Sequence, residues 1–205
     1  MGRLLLVFYR ICYVLESKTK FKIHPVIRPG AQSNDWANSK FQILQGCEAN
    51  ILNDGSLDIK NSALKKLDYV NAGVHSNFKM SREKMTERII KALKNSYLKI
   101  LVHPTGRILK KRREFDMDIG KIFRAAKQFN VVMEANAFPK RVDLSDINIK
   151  SAIETGLKIA INTDSHRKEH LRYMEFGVYQ ARRGWAQKRD VINTLTLERL
   201  LKFFK

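Results

Sequence analysis

Cysteine, proline and acidic side chains are all scarce in this chain of 205 residues. It has 2 cysteines, 4 prolines and 20 acidic residues, against 39 lysines and arginines. Cys12 and Cys47 are too few for a disulfide framework, and they lack the paired spacing of a zinc site. No apolar stretch approaches the roughly 20 residues of a bilayer-spanning helix, and the apolar start at Leu4–Phe8 is soon interrupted by Arg10, with no visible cleavage site. These absences predict a soluble, cytoplasmic protein without disulfides or a membrane partner.

The shortage of acidic side chains leaves a formal net charge of +19. An excess of this size favours polyanionic partners through long-range attraction and counterion release. The alternative is a lysine-rich composition that merely places solvated charge on helix faces. Hydrophobic residues make up 44% of the chain, which is typical of a globular domain. The charge therefore predicts a nucleic acid or a phosphorylated ligand as partner.

The chain divides into two segments by its hydrophobic pattern. Residues 1–40 begin apolar, continue with lysines and then become loop-like around Pro29 and Gly30, with no helix or strand period after Leu15. From Phe41 onward, short apolar runs alternate with segments of helical character. The predicted organisation is an N-terminal segment, 1–40, of doubtful homology and an α/β domain, 41–205.

Five short apolar runs of the second segment each lead to a side chain that can bind a metal ion. Ile43–Leu44 leads to Glu48, Tyr69–Val70 to His75, Ile100–Val102 to His103, Val131–Met133 to Glu134, and Ile159–Ile161 to Asp164 and His166. Strands that alternate with helices lie parallel, and their C-terminal ends share one face, where barrel enzymes assemble their sites. The pattern therefore predicts one metal-binding cleft. Five strand–helix units are, however, too few to close a barrel.

Helix boundaries can be read from capping residues between these runs. Ser81 is a predicted N-cap for a helix that ends near Asn95, and Asp116 and Asp118 suit the start of a second helix. Ser145 and Gly156 bracket a third helix. Two further helical segments are predicted at Leu171–Arg183 and Leu197–Phe204.

The side chains at the run ends have the chemistry of a metal site. Asp164 and His166 flank one residue, so in an extended backbone both leave from the same side, and this donor pair suits Zn, Mn or Fe. The pair alone is weak evidence, because Asp-x-His occurs often by chance. His75 and His103 strengthen it, since both directly follow apolar strands. Glu48 adds a carboxylate able to bridge two ions, which completes the ligand mix of a multi-metal hydrolytic site.

Basic and cleft residues follow the same strands. Arg107 and Arg141 are predicted phosphate clamps. Lys110 and Lys111 begin a basic run that either guides a nucleic-acid backbone or is a solvated loop. Three further residues are candidates for the lining of the cleft, namely Glu134, Asn136 and His170. Phe78 and Phe138 near the same rim either stack bases or pack in the protein.

Several of these motifs resemble the polymerase-and-histidinol-phosphatase (PHP) domain. They are Gly46–Glu48 with Asp54–Asp58, Leu67–Ser76, His103–Arg107 and Asn162–His166. Phe176–Val178 with Ala181–Trp185 is similar, more narrowly, to the PHP domain at the C-terminus of bacterial and archaeal X-family DNA polymerases. The resemblance covers residues 41 to 205.

The resemblance implies a distorted seven-stranded TIM-like β/α barrel with two or three divalent metal ions, Mn or Zn. The family's metal-ligand positions are matched by Glu48, His75, His103, Asp164 and His166. The implied activity is that of a metal-dependent phosphoesterase, a 3′–5′ exonuclease in DNA repair, acting on single-stranded DNA or 3′ ends.

The chain also departs from the family pattern. The family's opening His-x-His strand, a nearby Asp and a Thr-Asp-His strand end are absent, and His24 is the sole histidine before His75. The expectation is therefore an incomplete barrel that lacks its first strands, from the C-terminal part of a longer polymerase. Its uncovered edge at the Glu48 strand predicts self-association unless residues 1–40 cover it. Two alternatives remain open, a catalytically impaired basic remnant that binds nucleic acid and a small-molecule phosphatase of the histidinol-phosphatase kind.

Overall fold

The computed structural model describes residues 44–205. The predictions made for residues 1–40, including any cover that they give to the first strand, lie outside the described residues. So do Cys12, His24 and Ile43.

The described residues form an α/β structure around one parallel sheet. Its five strands are β1 (Gly46–Asn50), β2 (Tyr69–Gly73), β3 (Leu98–Leu101), β4 (Val132–Asn136) and β5 (Ile159–Asn162). They lie in the order β1-β2-β3-β4-β5, and every neighbouring pair is parallel. The predicted strand–helix alternation and its parallel sheet are confirmed. Within residues 44–205, β1 and β5 form opposite edges of the sheet, so closure into a barrel stays a prediction.

Six α-helices connect and follow the strands. They are α1 (Asn61–Leu64), α2 (Arg82–Leu93), α3 (Ile119–Gln128), α4 (Asp146–Glu154), α5 (Met174–Arg183) and α6 (Leu197–Phe204). The side chains of Ser81, Asp118 and Ser145 each accept a hydrogen bond from a backbone N–H in the first turn of α2, α3 and α4, respectively. The N-cap predicted at Ser81 and the helix starts predicted near Asp118 and Ser145 are confirmed. The helix predicted from Leu171 differs at its start. Residues Lys168–Tyr173 form a 3₁₀ helix, and the α-helix begins at Met174.

None of the helices within residues 44–205 is long and apolar enough to cross a membrane.

One face of the sheet is covered by helices. Alternate strand residues such as Ala72, Met133 and Ile161 belong there to one apolar cluster, which also contains Ile89 of α2 and Phe123 of α3. Burial of these side chains supplies the main stabilisation of the domain.

The opposite face changes character along the strands. Near the strand starts it is apolar, and Tyr69, Val132 and Ala160 pack with Leu200 and Phe204 of α6. Two residues further on, side chains on the same face are polar, because alternate residues of a strand share a face. These polar side chains are Asn71, Glu134 and Asn162, all buried. The polar half of this face leads to the C-terminal strand ends, where the sequence predicts the cleft.

Arg88 of α2 fixes the loops that leave the first two strands. Its side chain is 2% exposed. The guanidinium group donates hydrogen bonds to the backbone carbonyls of Ile51, Leu52 and Ser76. It therefore ties the segments after β1 and β2 to the helix layer, and these segments adjoin Glu48 and His75.

Candidate metal centre

Glu48, His75 and His103 converge at the C-terminal side of the sheet. Glu48 lies within β1, and the two histidines follow β2 and β3. Glu48 Oε1 lies 2.8 Å from His75 Nε2 and 3.1 Å from His103 Nε2. The two imidazole rings meet edge to face with centroids 5.0 Å apart. Three of the five predicted ligands are thus gathered around a single carboxylate oxygen.

The donor set and the spacing of this triad fit a divalent metal ion. The three ligand atoms all lie within 4.8 Å of one another, and imidazole and carboxylate donors together suit Zn or Mn. A tetrahedral ion with bonds of about 2.1 Å separates its donors by about 3.4 Å, so a slight outward shift of these side chains would admit one.

The burial of His103 supports the same interpretation. Burial lowers the pKa of His103, against the opposing effect of its hydrogen bond with Glu48, and so favours the neutral imidazole that binds metals. Its Nδ1 atom is buried without a hydrogen-bond partner among residues 44–205. The cost of such burial concerns Nδ1, whereas the atom that faces Glu48 is Nε2, so the fit to a metal ion rests on Nε2 and on the neutral state of the ring.

Glu134 holds the backbone of His103, one member of the triad. Its buried carboxylate accepts hydrogen bonds from the His103 backbone N–H at 2.5 Å, from Asn162 Nδ2 at 2.9 Å and from Asn136 Nδ2 at 3.1 Å. His103 has a φ of +33°, which is uncommon for a residue with a side chain. Burial, reinforced by the charge of Asp164, raises the pKa of Glu134 to about 8. Glu134 therefore holds the His103 backbone, and the assignment of Glu134 and Asn136 to the lining of a cleft stays a prediction.

Asp143 is a site residue that the sequence interpretation missed. It is fully buried, and its carboxylate accepts hydrogen bonds from the backbone N–H groups of Thr105 at 3.1 Å and Gly106 at 2.9 Å. Burial raises the pKa of Asp143 to about 7, although the hydrogen bonds from Thr105 and the charge of Arg107 oppose this. Gly106 has a φ of +65°, which glycine adopts at little cost. Asp143 thus fixes the turn that follows His103, and no pattern around it signals that role.

Asp164 and His166 do not join the cluster of three in the described structure. β5 ends at Asn162, and Asp164 has a φ of +49°, so the extended backbone assumed for this pair is wrong. Asp164 Oδ2 lies 3.4 Å from Arg141 Nε and 3.3 Å from Asn136 Nδ2. His166, 52% exposed, turns its Nδ1 atom toward the Asp164 carbonyl at 2.8 Å. Their role as ligands stays a prediction.

The two predicted phosphate clamps differ in their surroundings. Arg107 donates hydrogen bonds to the carbonyls of Arg141 and Val142, and its Nη1 lies 3.7 Å from Glu114. Through these contacts the Arg107 guanidinium holds the loop after β4, so fewer of its donors are available to a phosphate. Arg141 is 15% exposed beside Asp164, and its Nη1 has no hydrogen-bond partner within the described residues. The geometry therefore favours Arg141 as the phosphate-binding residue.

Lys110 and Lys111 lie at the tip of a small hairpin that follows the turn after His103. Ile108 and Arg112 form its antiparallel bridge, and both lysines are exposed. Phe78 packs against the Arg112 guanidinium, which lies 3.9 Å from its ring centroid, and stacks on the Phe115 ring at 5.5 Å. The packing alternative therefore describes Phe78, and contact of the two exposed lysines with a nucleic-acid backbone stays a prediction.

Comparison with known proteins identifies relatives that are named as an exonuclease and as probable phosphatases. No protein-family model matches the chain. The DNA polymerase/3'-5' exonuclease PolX of Bacillus subtilis (strain 168) is 36% identical over 182 residues, which are 87% of this chain and 32% of that protein. This match is longer than the segment 41–205, so it includes part of residues 1–40.

Shorter matches join the chain to bacterial phosphatases. A probable phosphatase of Thermoanaerobacter sp. (strain X514) is 38% identical over 135 residues, 61% of this chain and 53% of that protein. A probable phosphatase of Acetivibrio thermocellus is 34% identical over 134 residues, with the same two coverages. The chain therefore spans about a third of the polymerase and about half of the phosphatases. It is homologous to the Bacillus polymerase/exonuclease and to these probable phosphatases, a relationship consistent with a PHP-type domain.

Proposed function

We propose that this chain is a metal-dependent phosphoesterase of the PHP type that removes nucleotides from 3′ ends of DNA. The observation that carries the proposal is the convergence of Glu48, His75 and His103 on one point at the C-terminal side of a parallel sheet. The names of the homologous proteins, an exonuclease and several phosphatases, support hydrolysis of phosphoesters.

Glu48, His75 and His103 would hold a divalent ion, Mn or Zn, and Asp164 and His166 are the proposed ligands of a second or third ion. Divalent ions at such sites lower the pKa of bound water and neutralise charge on a phosphoryl group. The chain itself fixes the ligands. Glu134 restrains the His103 backbone through the N–H group of that residue, so the imidazole is oriented before an ion arrives.

Arg141 is the proposed phosphate-binding residue of the same cleft. Its guanidinium Nε lies 3.4 Å from Asp164 Oδ2, so it is adjacent to a proposed metal ligand. The remaining donors of a guanidinium suit the planar arrangement of two phosphate oxygens. Lys110 and Lys111, exposed on the neighbouring hairpin, would contact phosphates further along a DNA strand.

The proposal is tested by digestion of a labelled single-stranded oligonucleotide with Mn²⁺, using wild type, Glu48→Gln and the matched control Glu154→Gln. Glu154 is a 65% exposed glutamate at the end of α4. We expect Glu48→Gln to lose at least about 100-fold in rate, since metal sites supply several kcal/mol of transition-state stabilisation. The control should retain its rate. Equal rates for wild type and Glu48→Gln would reject the proposal.

A small-molecule phosphatase is the second candidate, because the phosphatase homologues are 38% and 34% identical to the chain. Its test is the ratio of rates on p-nitrophenyl phosphate and on the oligonucleotide. A ratio that strongly favours the monoester would assign the chain to the phosphatases. Salt-sensitive DNA binding without turnover of either substrate would instead indicate a non-catalytic nucleic-acid-binding remnant.

A further inference from the structure

Three aromatic side chains form a row that starts in the 3₁₀ helix Lys168–Tyr173 and ends in the first turn of α5. They are His170, Tyr173 and Phe176, hereafter the aromatic row. The ring centroids of His170 and Tyr173 are 5.1 Å apart with planes inclined by 22°, and those of Tyr173 and Phe176 are 5.9 Å apart with planes inclined by 32°. A spacing of three residues keeps side chains on one side of a helical segment. The row is therefore a near-parallel series of rings.

The aromatic row is largely outside the hydrophobic core. Phe176 is 41% exposed, and His170 and Tyr173 are half-buried. The buried residues of α5 are Gly177 and Ala181 instead. Large apolar side chains that cluster at the surface of a helix indicate a contact surface rather than internal packing.

The row is continuous with the proposed site. The backbone N–H of His166 donates a hydrogen bond to His170 Nδ1 at 3.2 Å, and the two rings lie 6.4 Å apart. Phe138, from the loop that also carries Arg141, meets His170 and Tyr173 edge to face at 5.5 Å and 5.7 Å. A ligand held at Arg141 would therefore reach the first rings of the row.

Exposed cations accompany the rings. Arg167, Lys168 and Arg172 are all exposed, and the Arg172 guanidinium lies 5.9 Å from the centre of the Tyr173 ring. Two exposed acidic residues, Glu169 and Glu175, belong to the same stretch, so the local balance is positive by one charge. Rings interleaved with cations are the combination that binds single strands, in which bases stack on aromatic faces and phosphates meet the cations.

We propose that the aromatic row binds the unpaired bases of a DNA strand whose terminal phosphodiester lies at the candidate metal centre. This inference rests on the proposed function and deepens it, because it assigns single-stranded DNA as the substrate and gives the strand a path over the 3₁₀ helix Lys168–Tyr173 and the first turn of α5. In a duplex the base faces are already stacked on one another, so the row selects single strands.

The first test measures binding with metal removed by a chelator, so that no turnover occurs. Three proteins are compared: wild type, the double variant Tyr173→Ala/Phe176→Ala and the control Tyr179→Ala. Each is titrated into a fluorescent oligo-dT and into an abasic strand with the same number of phosphates. Tyr179 is 57% exposed on the same helix and lies outside the row. We expect the double variant to bind oligo-dT at least about fivefold more weakly than wild type does and to bind the abasic strand with the affinity of wild type. The control should bind both strands as wild type does.

Three results would overturn the inference. They are undiminished binding of oligo-dT by the double variant, an equal loss on the abasic strand, and an equal loss in the control. Phe176→Leu gives a milder variant that removes the ring but retains apolar volume, and it should show the same selective loss if the double variant is poorly folded. A row that instead contacts another protein segment would leave oligo-dT affinity unchanged in every variant, which also overturns the inference.

A second measurement separates this inference from the proposed function. Cleavage of oligo-dT and of the abasic strand is followed with Mn²⁺. The inference predicts that the double variant slows cleavage of oligo-dT at limiting concentration and leaves cleavage of the abasic strand unchanged. If wild type and the double variant cleave oligo-dT at the same rate, the binding role of the aromatic row is rejected, whereas the proposed phosphoesterase activity is supported. If wild type binds oligo-dT more tightly than the abasic strand but cleaves neither, the proposed phosphoesterase activity is rejected and the aromatic row remains a DNA-binding surface.

Discussion

At the residue scale, Gly73 is required by the close approach of His103. A Cβ atom on Gly73 would lie 2.5 Å from His103 Cε1, closer than two carbon atoms pack. Gly73→Ala should therefore displace the imidazole from Glu48. We expect metal affinity to fall by about tenfold or more, comparable to the loss of a supporting contact around a ligand. Isothermal titration of metal into the chelator-stripped protein measures this.

Gly120→Ala is the matched control for Gly73→Ala. Gly120 is in the first turn of α3, and the nearest atoms to an added Cβ lie at 3.5 Å, an ordinary contact distance. This substitution should leave metal affinity unchanged and stabilise the helix by about 0.5–1 kcal/mol. Equal metal affinities of wild type and Gly73→Ala would show that the His103 position does not depend on the space at Gly73.

Asp143 gives the chain a pH-dependent stability. Burial raises the pKa of Asp143 to about 7, above the ordinary aspartate value of about 3.9, so the folded protein keeps a proton that the unfolded chain has already released. The stabilisation is complete below about pH 4 and is lost as pH rises through about 7, by up to about 4 kcal/mol. Urea unfolding of wild type and Asp143→Asn at several pH values measures it. The wild type should lose stability relative to the variant as pH rises through this window, and a constant difference would contradict the prediction.

The sequence indicated the candidate ligands better than it indicated the residues that hold them in place. Glu48, His75 and His103 follow or interrupt apolar runs, and this position alone predicted that they meet. Asp143 and Gly73 act through backbone contacts between segments that are distant in the chain, and their local sequence contains no trace of the partner. Asp164 adopts a positive φ, so the backbone of the Asp164–His166 pair is not extended, and residue spacing alone cannot reveal this.

At the scale of elements, Arg88 joins α2 to the loops after β1 and β2. Arg88→Met retains an apolar stem but leaves the carbonyls of Ile51, Leu52 and Ser76 without these donors. An unsatisfied buried polar group costs about 1–3 kcal/mol, so we expect a loss of about 3 kcal/mol in the free energy of unfolding. Chemical denaturation measures it, and the exposed Arg82 at the start of the same helix provides the control Arg82→Met, which should change little. Similar losses in both variants would contradict a specific role for Arg88.

Helix boundaries were predictable where a capping side chain is local. Ser81, Asp118 and Ser145 satisfy backbone N–H groups only three residues away, so sequence contains both partners. The start of α5 was misplaced by three residues, because the preceding Lys168–Tyr173 segment is a 3₁₀ helix. Periods of 3.0 and 3.6 residues are hard to distinguish over so short a stretch.

At the scale of the whole molecule, the net charge of +19 predicts DNA binding that weakens with salt. The affinity for a single strand falls with a logarithmic slope of about 0.7 per phosphate contacted. The double variant Lys110→Ala/Lys111→Ala should therefore reduce the slope by about 1.4 if each lysine contacts one phosphate. Fluorescence anisotropy at several salt concentrations measures it, and an unchanged slope would show that the hairpin tip does not contact the strand.

The edge of the sheet at β1 has a consequence for assembly. Among the described residues β1 pairs with β2 alone, and self-association through this edge stays a prediction. Light scattering on the purified chain tests it. A single monomeric species that unfolds cooperatively would contradict self-association and would fit an edge covered within the chain.

The central claim is that Glu48, His75 and His103 form a metal centre, and calorimetric titration of Mn²⁺ into the chelator-stripped chain tests it most directly. The account predicts binding of at least one ion per chain, an affinity at least about tenfold weaker in Glu48→Gln, and unchanged binding in the control Glu154→Gln. The absence of Mn²⁺ and Zn²⁺ binding by folded wild type, or equal affinities in wild type and Glu48→Gln, would contradict it.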